Sequence, residues 1–336
     1  MKTALLSLAA CIFLLQLPVR MHAQSGPVRQ HLLFDDNWKF ALGNAADPSK
    51  DFNFSLETIY SKSGNAANTA ASPRFDDKVW QPVTLPHDWL VKLPNTYSSS
   101  FDVMAHGYKP VGGFFPENSI GWYRKHFSVA KADSGKRVSI QFDGVFRNCQ
   151  VWLNGFYIGR NESGYSGFSF DITDLIEFGK ENMIALRVDA SQYEGWFYEG
   201  AGIYRHAWLN LYEPVHIRPD GILLYSSFAG YDQILHAETE LVNQDSKAAP
   251  IQVQTQLTDR TGKFIAATSW QNVTLAAGET KNISQWLKAG KIKEIKRWSL
   301  EDPYLYRVTT VIKQNGKIND QIQQRFGFRT IDIKTD

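Results

Sequence analysis

Apolar and polar residues alternate with a period of two through the middle of the chain. Val138, Ile140 and Phe142 alternate with Ser139 and Gln141, which is the spacing of a β-strand with one buried face. Such a strand packs its apolar side against a second layer and leaves its polar side outside.

A tight turn joins two further apolar segments. Residues 151–153 and 156–158 flank Asn154-Gly155, and Asn-Gly supplies the positive φ angles that a primed hairpin turn requires. Another strand is predicted at residues 183–188 and one helical turn at 174–178. No long segment after residue 23 has apolar residues at helical spacing, so the pattern predicts an all-β chain.

Two prolines mark a predicted domain boundary near residues 212–219. Pro214 and Pro219 bracket a short strand at 215–217, and proline suits a linker or a sheet edge because it cannot donate to a strand ladder. About seven short strands, counting this one, predict an immunoglobulin-like sandwich in the second half. The other six are at 234–242, 251–257, 263–267, 271–275, 306–312 and 321–328.

The stretch from residue 44 to residue 71 differs in composition from its surroundings. It is rich in Asn, Ala, Ser and Lys and has few large apolar residues. We interpret it as a surface excursion outside the core, and its length favours a functional or mobile role.

The N-terminus has the pattern of a secretory signal peptide. Lys2 precedes an apolar run at residues 4–17, and Ala23 provides a small residue at the cleavage position. An alternative is a lipoprotein processing box that ends at Cys11, although that box lies inside the apolar run. We adopt cleavage near Ala23, which predicts a secreted or periplasmic protein. The run is too short to span a membrane, and no later segment could.

Cleavage would remove Cys11 and leave Cys149 as the one remaining thiol. No intrachain disulfide is then expected. Cys149 lies in an apolar strand pattern, where a cysteine is usually a small buried hydrophobe.

The charge balance excludes two classes of partner. The chain has 36 Lys and Arg residues against 34 Asp and Glu residues, whereas nucleic acids and anionic membranes require a concentrated basic face. The aromatic content of 13% suits sandwich cores and also stacking against sugars.

Several motifs follow one another in the order and spacing of a known enzyme family. They are Phe75-Asp76-Asp77 with Trp80, Leu85-Pro86-His87-Asp88-Trp89, Gly121-Trp122-Tyr123-Arg124, Phe142-Asp143-Gly144 with Trp152-Leu153-Asn154-Gly155, Gly200-Ala201-Gly202-Ile203-Tyr204-Arg205, Pro303-Tyr304-Leu305-Tyr306 and Phe326-Gly327-Phe328-Arg329. Together they resemble the N-terminal half of glycoside hydrolase family 2, which contains β-galactosidases and β-glucuronidases. The His-Asp-Trp form and the run ending at Arg205 look most like the bacterial β-galactosidases.

The resemblance implies a domain order. After a signal peptide at 1–23, it implies a jelly-roll sugar-binding domain (galactose-binding-like) at 24–213 and an immunoglobulin-like sandwich at 214–329. A catalytic (β/α)₈ barrel would follow, but a barrel needs roughly 250 residues. We therefore expect residues 330–336 to be a stub and the barrel to be absent from this chain.

The resemblance also implies the chemistry of the whole enzyme. Retaining glycosidases cleave with two carboxylates about 5–5.5 Å apart, and the family carries both on the barrel. We therefore expect an exported, β-galactosidase-like hydrolase whose substrate is a terminal β-linked sugar. This chain would contain no catalytic residue and would be inactive alone.

Three residues of the first domain are candidate sugar contacts. In this family, loops of the jelly roll reach the barrel mouth, and Asp88 occupies the position of a polar residue that contacts sugar hydroxyls. Capping a turn is the alternative role for Asp88. Tyr198 and Glu199 are the other candidates. Some members place a metal-binding Asp where this chain has Trp196, so we expect no metal site, and no cofactor.

Two other features are interpreted as structural. The chain has one Asn-Glu pair of the kind the family uses for its acid/base, Asn161-Glu162, but it follows the predicted hairpin, and we interpret Glu162 as a solvated loop carboxylate. Arg205 is expected to pair with a buried acid or a carbonyl.

Two alternatives to an enzyme part remain open. Two sandwiches could form a stand-alone carbohydrate-binding module, which should bind sugar by itself. They could also belong to an adhesive surface protein, although the loop motifs around Asp88 and Gly202 count against that reading. The identity of the sugar and the oligomeric state are not encoded in these patterns.

Overall fold

A computed structural model describes residues 28–60, 68–92, 116–192 and 198–330. Within these ranges every paired strand is antiparallel. One short α-helix, Glu57–Tyr60, and four 3₁₀ turns, Trp89–Lys92, Pro116–Asn118, Lys131–Asp133 and Thr173–Leu175, interrupt the strands. The prediction of an all-β chain is confirmed.

Two sheets form the first sandwich. Its ten strands are β1 (Gln30–Leu33), β2 (Trp38–Leu42), β3 (Gln81–Val83), β4 (Ile120–Ser128), β5 (Arg137–Phe142), β6 (Cys149–Leu153), β7 (Phe156–Asn161), β8 (Phe168–Asp171), β9 (Glu181–Asp189) and β10 (Ala207–Tyr212). One sheet has the order β1-β10-β5-β8 and the other β3-β2-β4-β9-β6-β7. Apolar side chains from both sheets, among them Trp38, Ile140 and Leu186, form one buried cluster between them.

The predicted hairpin is confirmed. Asn154 and Gly155 join β6 to β7 with φ angles of 51° and 87°, so both central residues have the positive φ of a primed turn. Cys149 is fully buried in β6, and burial raises the pKa of its thiol. Cys11 and the predicted signal peptide lie outside the described residues.

The second sandwich also has two sheets. Its strands are β11 (Val215–Ala229), β12 (Asp232–Asn243), β13 (Ala249–Thr258), β14 (Phe264–Ala267), β15 (Gln271–Leu275), β16 (Thr280–Lys291), β17 (Tyr306–Gln314) and β18 (Lys317–Phe326). One sheet has the order β11-β12-β16. The other has the order β14-β13-β17-β18, with β15 also paired to β13.

One strand of this sandwich was missing from the sequence prediction. The inward positions of β16 are Ile283, Gln285, Leu287 and Ala289, all of them buried, whereas Trp286 between them is 67% exposed. Buried and exposed positions do alternate, but at the centre of the strand the buried residue is a polar Gln and the exposed residue is an apolar Trp. The sequence therefore does not alternate between apolar and polar residues there.

The interpretation of residues 44–71 as a surface excursion is wrong in part. Residues 48–50 and 55–57 are exposed, but Asp51, Thr58 and residues 69–71 are buried. Phe52 and Phe54 pack beside Trp122 on the outer face of the six-stranded sheet, where they help form a second buried cluster. Asp51 accepts a hydrogen bond from the Trp122 indole at 2.7 Å and lies 2.9 Å from the Arg187 guanidinium. Few large residues suffice because the sheet supplies Trp122 and Trp152 to that cluster, and Trp80, just before β3, adds a third ring.

A second buried ion pair holds the segment that follows. The Arg124 guanidinium is fully buried, donates to Asp77 Oδ2 at 2.8 Å, and also donates to the carbonyls of Ala70 and Ser72. Lys39 contacts the other Asp77 oxygen at 2.7 Å. These bonds tie the segment from residue 69 to residue 77 onto β4.

The chain passes from the first pair of sheets to the second between Tyr212 and Val215. Strand β11 is much longer than the predicted 215–217, because it continues past Pro219 through a register shift between Ile217 and Ile222. Arg29, next to β1, pairs with Asp320 of β18 at 2.6 Å, and Asp320 accepts from the backbone of Ile217 at 2.8 Å. The first strand is thereby bonded to the second sandwich.

Candidate functional site

The loop after β3 is pinned to the segment that precedes β10. The backbone N–H of His87 donates to the carbonyl of Ile203 at 2.8 Å, and that of Trp89 donates to Ala201 at 3.1 Å. The Leu85-Pro86 peptide bond is cis. These two backbone bonds bring two distant sequence motifs into one site.

Asp88 lies between those two bonds and uses both of its oxygens. Its Oδ1 accepts from the backbone N–H groups of Leu90 at 3.0 Å and Ala201 at 3.1 Å. Its Oδ2 accepts from the Tyr198 hydroxyl at 2.7 Å. Asp88 therefore caps its own turn and also holds Tyr198, which keeps 42% of its surface exposed.

The segment opposite Asp88 depends on a glycine. Gly200 has φ of 75°, and a Cβ at this position would lie 2.7 Å from Asp88 Oδ2. Any larger residue would combine backbone strain with a clash against the carboxylate. Glu199 is half-buried beside it, while Trp196 lies outside the described residues.

Two adjoining pockets open beside this loop. The first, of about 490 Å³, is lined by His87, Asp88, Val91 and Lys92 among others. The second, of about 560 Å³, is lined by Asp143, Gly167, Arg205 and His206, and both pockets share Pro86 and Tyr204. Polar groups of both charges converge here with the half-buried ring of Tyr204, which suits recognition of a hydroxylated ligand.

His87 supports the floor of this loop in its neutral form. The ring is buried, with Nδ1 2.8 Å from the Tyr123 hydroxyl. Burial, and next the charge of Lys92, lower the pKa of His87 to about 4. At neutral pH the ring is uncharged, and it supports the loop by packing in the core and hydrogen-bonding the Tyr123 hydroxyl.

We expect His87 to make the chain sensitive to mild acid. Below pH 6.5 the unfolded chain takes up a proton at this residue, whereas the folded chain does not until about pH 4. Protonation thus favours unfolding across that window, by up to roughly 3 kcal/mol at its lower end. In urea titrations at several pH values, His87→Gln should lose less stability than wild type between pH 6.5 and 4. Parallel curves for the two proteins would contradict this.

The comparison with known families agrees with the motif order. Residues 34–213 match the family described as "Glycosyl hydrolases family 2, sugar binding domain", and residues 215–329 match "Glycosyl hydrolases family 2". The chain belongs to glycoside hydrolase family 2. The resemblance inferred from the sequence is confirmed.

Curated relatives in family 2 include enzymes named for two activities. The chain is 31% identical over 307 residues to the β-galactosidase BoGH2A of Bacteroides ovatus, covering 91% of this chain and 32% of that protein. It is 27% identical over 310 residues to a β-glucuronidase of Formosa agariphila, covering 85% and 30%. The chain thus spans about a third of the length of the relatives it matches.

Solved structures of family 2 share the fold. A family 2 member from Bacteroides cellulosilyticus superposes with a TM-score of 0.73 and 29% identity, over 90% of this chain and 37% of that one. A β-glucuronidase of the family gives a TM-score of 0.74 at 25% identity. The matched part is the sugar-binding domain and the immunoglobulin-like domain, and no parallel barrel occurs in the described ranges.

Two expectations about other family 2 motifs have different outcomes. Glu162 is 67% exposed and pairs with Arg160 at 2.8 Å, as expected for a solvated loop carboxylate. The expectation that Arg205 pairs with a buried acid or a carbonyl is wrong: the side chain is exposed and bonds to neither among the described residues, and its guanidinium lies 5.9 Å from the Tyr204 ring centre. The neighbouring His206 instead contacts the buried Asp35 at 2.6 Å.

The described part of this family 2 chain contains no cluster of three or more His, Cys, Asp or Glu side chains suited to a metal ion. None of its helices has the length and apolarity to cross a bilayer.

Of the predicted sugar contacts, Asp88 and Tyr198 are brought together and Glu199 lies next to them. Lys92, Asp143 and His206 also line the two pockets and were not predicted as contacts: Asp143 stands in a quoted motif that the resemblance gives no binding role, and the other two stand in none.

Proposed function

We propose that this chain is the substrate-facing, non-catalytic part of an exported β-galactosidase-like hydrolase. Its first domain, residues 24–213 after cleavage near Ala23, would contribute Asp88, Tyr198 and Glu199 to binding the terminal sugar. The immunoglobulin-like domain, residues 214–329, would connect it to the catalytic barrel. Bond cleavage would be carried out by two carboxylates of that barrel.

The observation that carries this proposal is the Asp88–Tyr198 pair. A carboxylate oxygen accepts more than one hydrogen bond, so Asp88 Oδ2 can accept from a sugar hydroxyl in addition to Tyr198. Tyr198 offers an exposed ring edge and face beside it. A charged acceptor beside an aromatic ring is a suitable arrangement for a hexose, which has hydroxyls around its rim and apolar C–H faces.

The test compares this chain with the complete protein of its reading frame. The complete protein should hydrolyse p-nitrophenyl β-D-galactopyranoside much faster than the corresponding β-D-glucuronide. The 336-residue chain should give no turnover above background, because neither required carboxylate is expected in it.

Two results would contradict the proposal. Turnover by the chain that disappears in Glu162→Gln would make the Asn161-Glu162 loop a catalytic site. A complete protein that prefers the glucuronide would overturn the assignment to galactosides.

A further inference from the structure

The outer face of the four-stranded sheet in the first sandwich carries polar side chains in register. Cross-strand partners point to the same face of a sheet, and alternate residues of β5, such as Ile140, fill the core on the opposite face. Two rows cross the sheet from β1 to β8. The rows are His31, Asn210, Ser139 and Asp171, and then Leu33, Trp208, Gln141 and Ser169.

This face borders a cleft between the two sandwiches. The cleft has a volume of about 830 Å³, within the usual range for ligand sites. Ser139, Gln141 and Asn210 form one wall, and the opposite wall comes from the second sandwich. That wall includes His216, Arg218, Glu240, Gln244 and Thr280. The face is therefore half-enclosed, and Asn210 and Ser139 are only 9% and 5% exposed.

The Asn210 amide is bonded firmly through its oxygen and weakly through its nitrogen. Its Oδ1 lies 2.5 Å from His31 Nδ1, whereas its Nδ2 donates to Ser139 Oγ at 3.4 Å and to Gln141 Oε1 at 3.5 Å, both well beyond the usual 2.9–3.0 Å. Gln141 Nε2 is better bonded, at 3.0 Å from Asp143 Oδ1. A hydroxyl entering the cleft could form shorter bonds with Asn210 and Gln141 than they form with each other.

The one lining Arg is already paired: Arg218 contacts Glu240 at 2.7 Å, and the lining Asp171 contacts Arg137 at 2.5 Å. His216 is buried, and burial, with the charge of Arg29, lowers its pKa to about 4, so the ring is neutral at pH 7. The exposed Asp220 carboxylate also lines the cleft and forms no ion pair with a described residue. The lining therefore offers amides, hydroxyls and a carboxylate but no unpaired cation, which suits a neutral sugar and not an anion.

The cleft adjoins the pockets of the candidate site. It shares Gly167 with the pocket of Asp143 and His206, and that pocket shares Pro86 and Tyr204 with the pocket of Asp88. Three neighbouring pockets therefore lie between Asp88 and the junction of the two sandwiches. A ligand that spans them must be several sugar units long.

We propose that this cleft is a second carbohydrate-binding site, which holds the distal part of a neutral β-linked oligosaccharide through the amides of Gln141 and Asn210. The binding site itself stands on the cleft alone. The assignment of the ligand as a galactoside, with its terminal unit at Asp88, rests on the proposed function.

Calorimetric titration of the 336-residue chain tests the site, with β-1,4-galactotetraose, β-1,4-galactobiose and cellotetraose as probes. The tetrasaccharide should bind more tightly than the disaccharide. Gln141→Ala should weaken tetraose binding about three- to tenfold, the effect of one hydrogen bond. Ser169→Trp should abolish it, because Ser169 is exposed on the cleft wall and tolerates a ring that fills the cleft.

Gln252→Ala is the matched control, since Gln252 is an exposed glutamine on β13 away from the cleft. It should leave the affinity unchanged. Tetraose binding that is identical in wild type, Gln141→Ala and Ser169→Trp overturns the site, as does the absence of binding for every probe. If the complete enzyme still cleaves galactosides in that case, the proposed function stands without the cleft. Binding of cellotetraose alone, lost in Ser169→Trp, upholds the cleft and overturns the galactoside assignment.

Discussion

Replacing Asp77 with alanine should lower the free energy of unfolding by about 3–5 kcal/mol. The substitution removes the carboxylate that contacts Arg124 at 2.8 Å, while Arg124 itself is fully buried. A buried guanidinium that retains only carbonyl partners carries an uncompensated charge. Urea denaturation at pH 7, with the midpoint and slope measured separately, gives the change directly.

The neighbouring residue provides a matched control. The Asp76 side chain is 69% exposed and lies 3.7 Å from Lys78, whose side chain is 85% exposed, so Asp76→Ala should change stability by well under 1 kcal/mol. The double variant Asp77→Ala/Arg124→Met should be more stable than the sum of the single changes predicts, because no unpaired charge remains. Equal effects for Asp76→Ala and Asp77→Ala would contradict the role of the buried pair.

The cost of Asp77→Ala should also depend on pH. Burial alone would raise the pKa of Asp77, but hydrogen bonds from Arg124 and Lys39 outweigh it and lower the pKa below the usual 3.8. A depressed pKa in the folded state contributes stability above the unfolded pKa and loses it as the pH falls through the folded value. The difference between wild type and Asp77→Ala should therefore be full at pH 7 and shrink below about pH 4.

Replacing Asp88 with asparagine should reduce kcat/KM of the complete enzyme roughly ten- to two-hundred-fold. A hydrogen bond to a charged acceptor contributes about 1.5–3 kcal/mol, and each 1.36 kcal/mol is a factor of ten in rate. Asparagine keeps an Oδ1 that can accept from Leu90 and Ala201. The turn should therefore persist, and the melting temperature should remain close to that of wild type.

Two comparisons separate sugar binding from turn capping at Asp88. Asp259 caps an exposed turn of the second sandwich through the N–H groups of Thr261 and Lys263, so Asp259→Asn should leave kcat/KM unchanged. Tyr198→Phe, which removes only the hydroxyl bonded to Asp88, should cost less activity than Asp88→Asn. If Asp88→Asn lowers the melting temperature and leaves kcat/KM intact, the residue is a turn cap and not a sugar contact.

The strands that the sequence predicted are those with local alternation or clear turn chemistry. The Asn154-Gly155 hairpin is such a case, since two residues determine its geometry. The role of residues 44–71 was not predictable in the same way. Part of that segment is buried by a sheet distant in sequence, and its anchors, Asp51 and Phe54, have no periodic pattern around them. Burial imposed by tertiary contact leaves no local signal.

The candidate site was predictable only where a motif marked it. Asp88 and Tyr198 stand 110 positions apart, and their contact at 2.7 Å depends on how the loop after β3 pairs with residues 201–203. The sequence analysis identified both residues as candidate sugar contacts but did not predict the hydrogen bond between them. The cleft between the sandwiches has no motif at all, because Gln141 and Asn210 look like ordinary outward residues of two strands.

The position of β1 has a consequence for how the chain folds as it is made. Of the strands that the structure describes, this one emerges first, and its sheet partner among them is β10, with His31 opposite Asn210, 179 residues later. At a synthesis rate of about 5–20 residues per second, β1 waits roughly 10–35 seconds for its partner. During that time Leu32 and Leu33 form an unpaired apolar edge, which is a risk for association with other chains. The first sandwich therefore cannot close until its last strand, β10, has been synthesised. The Arg29–Asp320 bond forms later still.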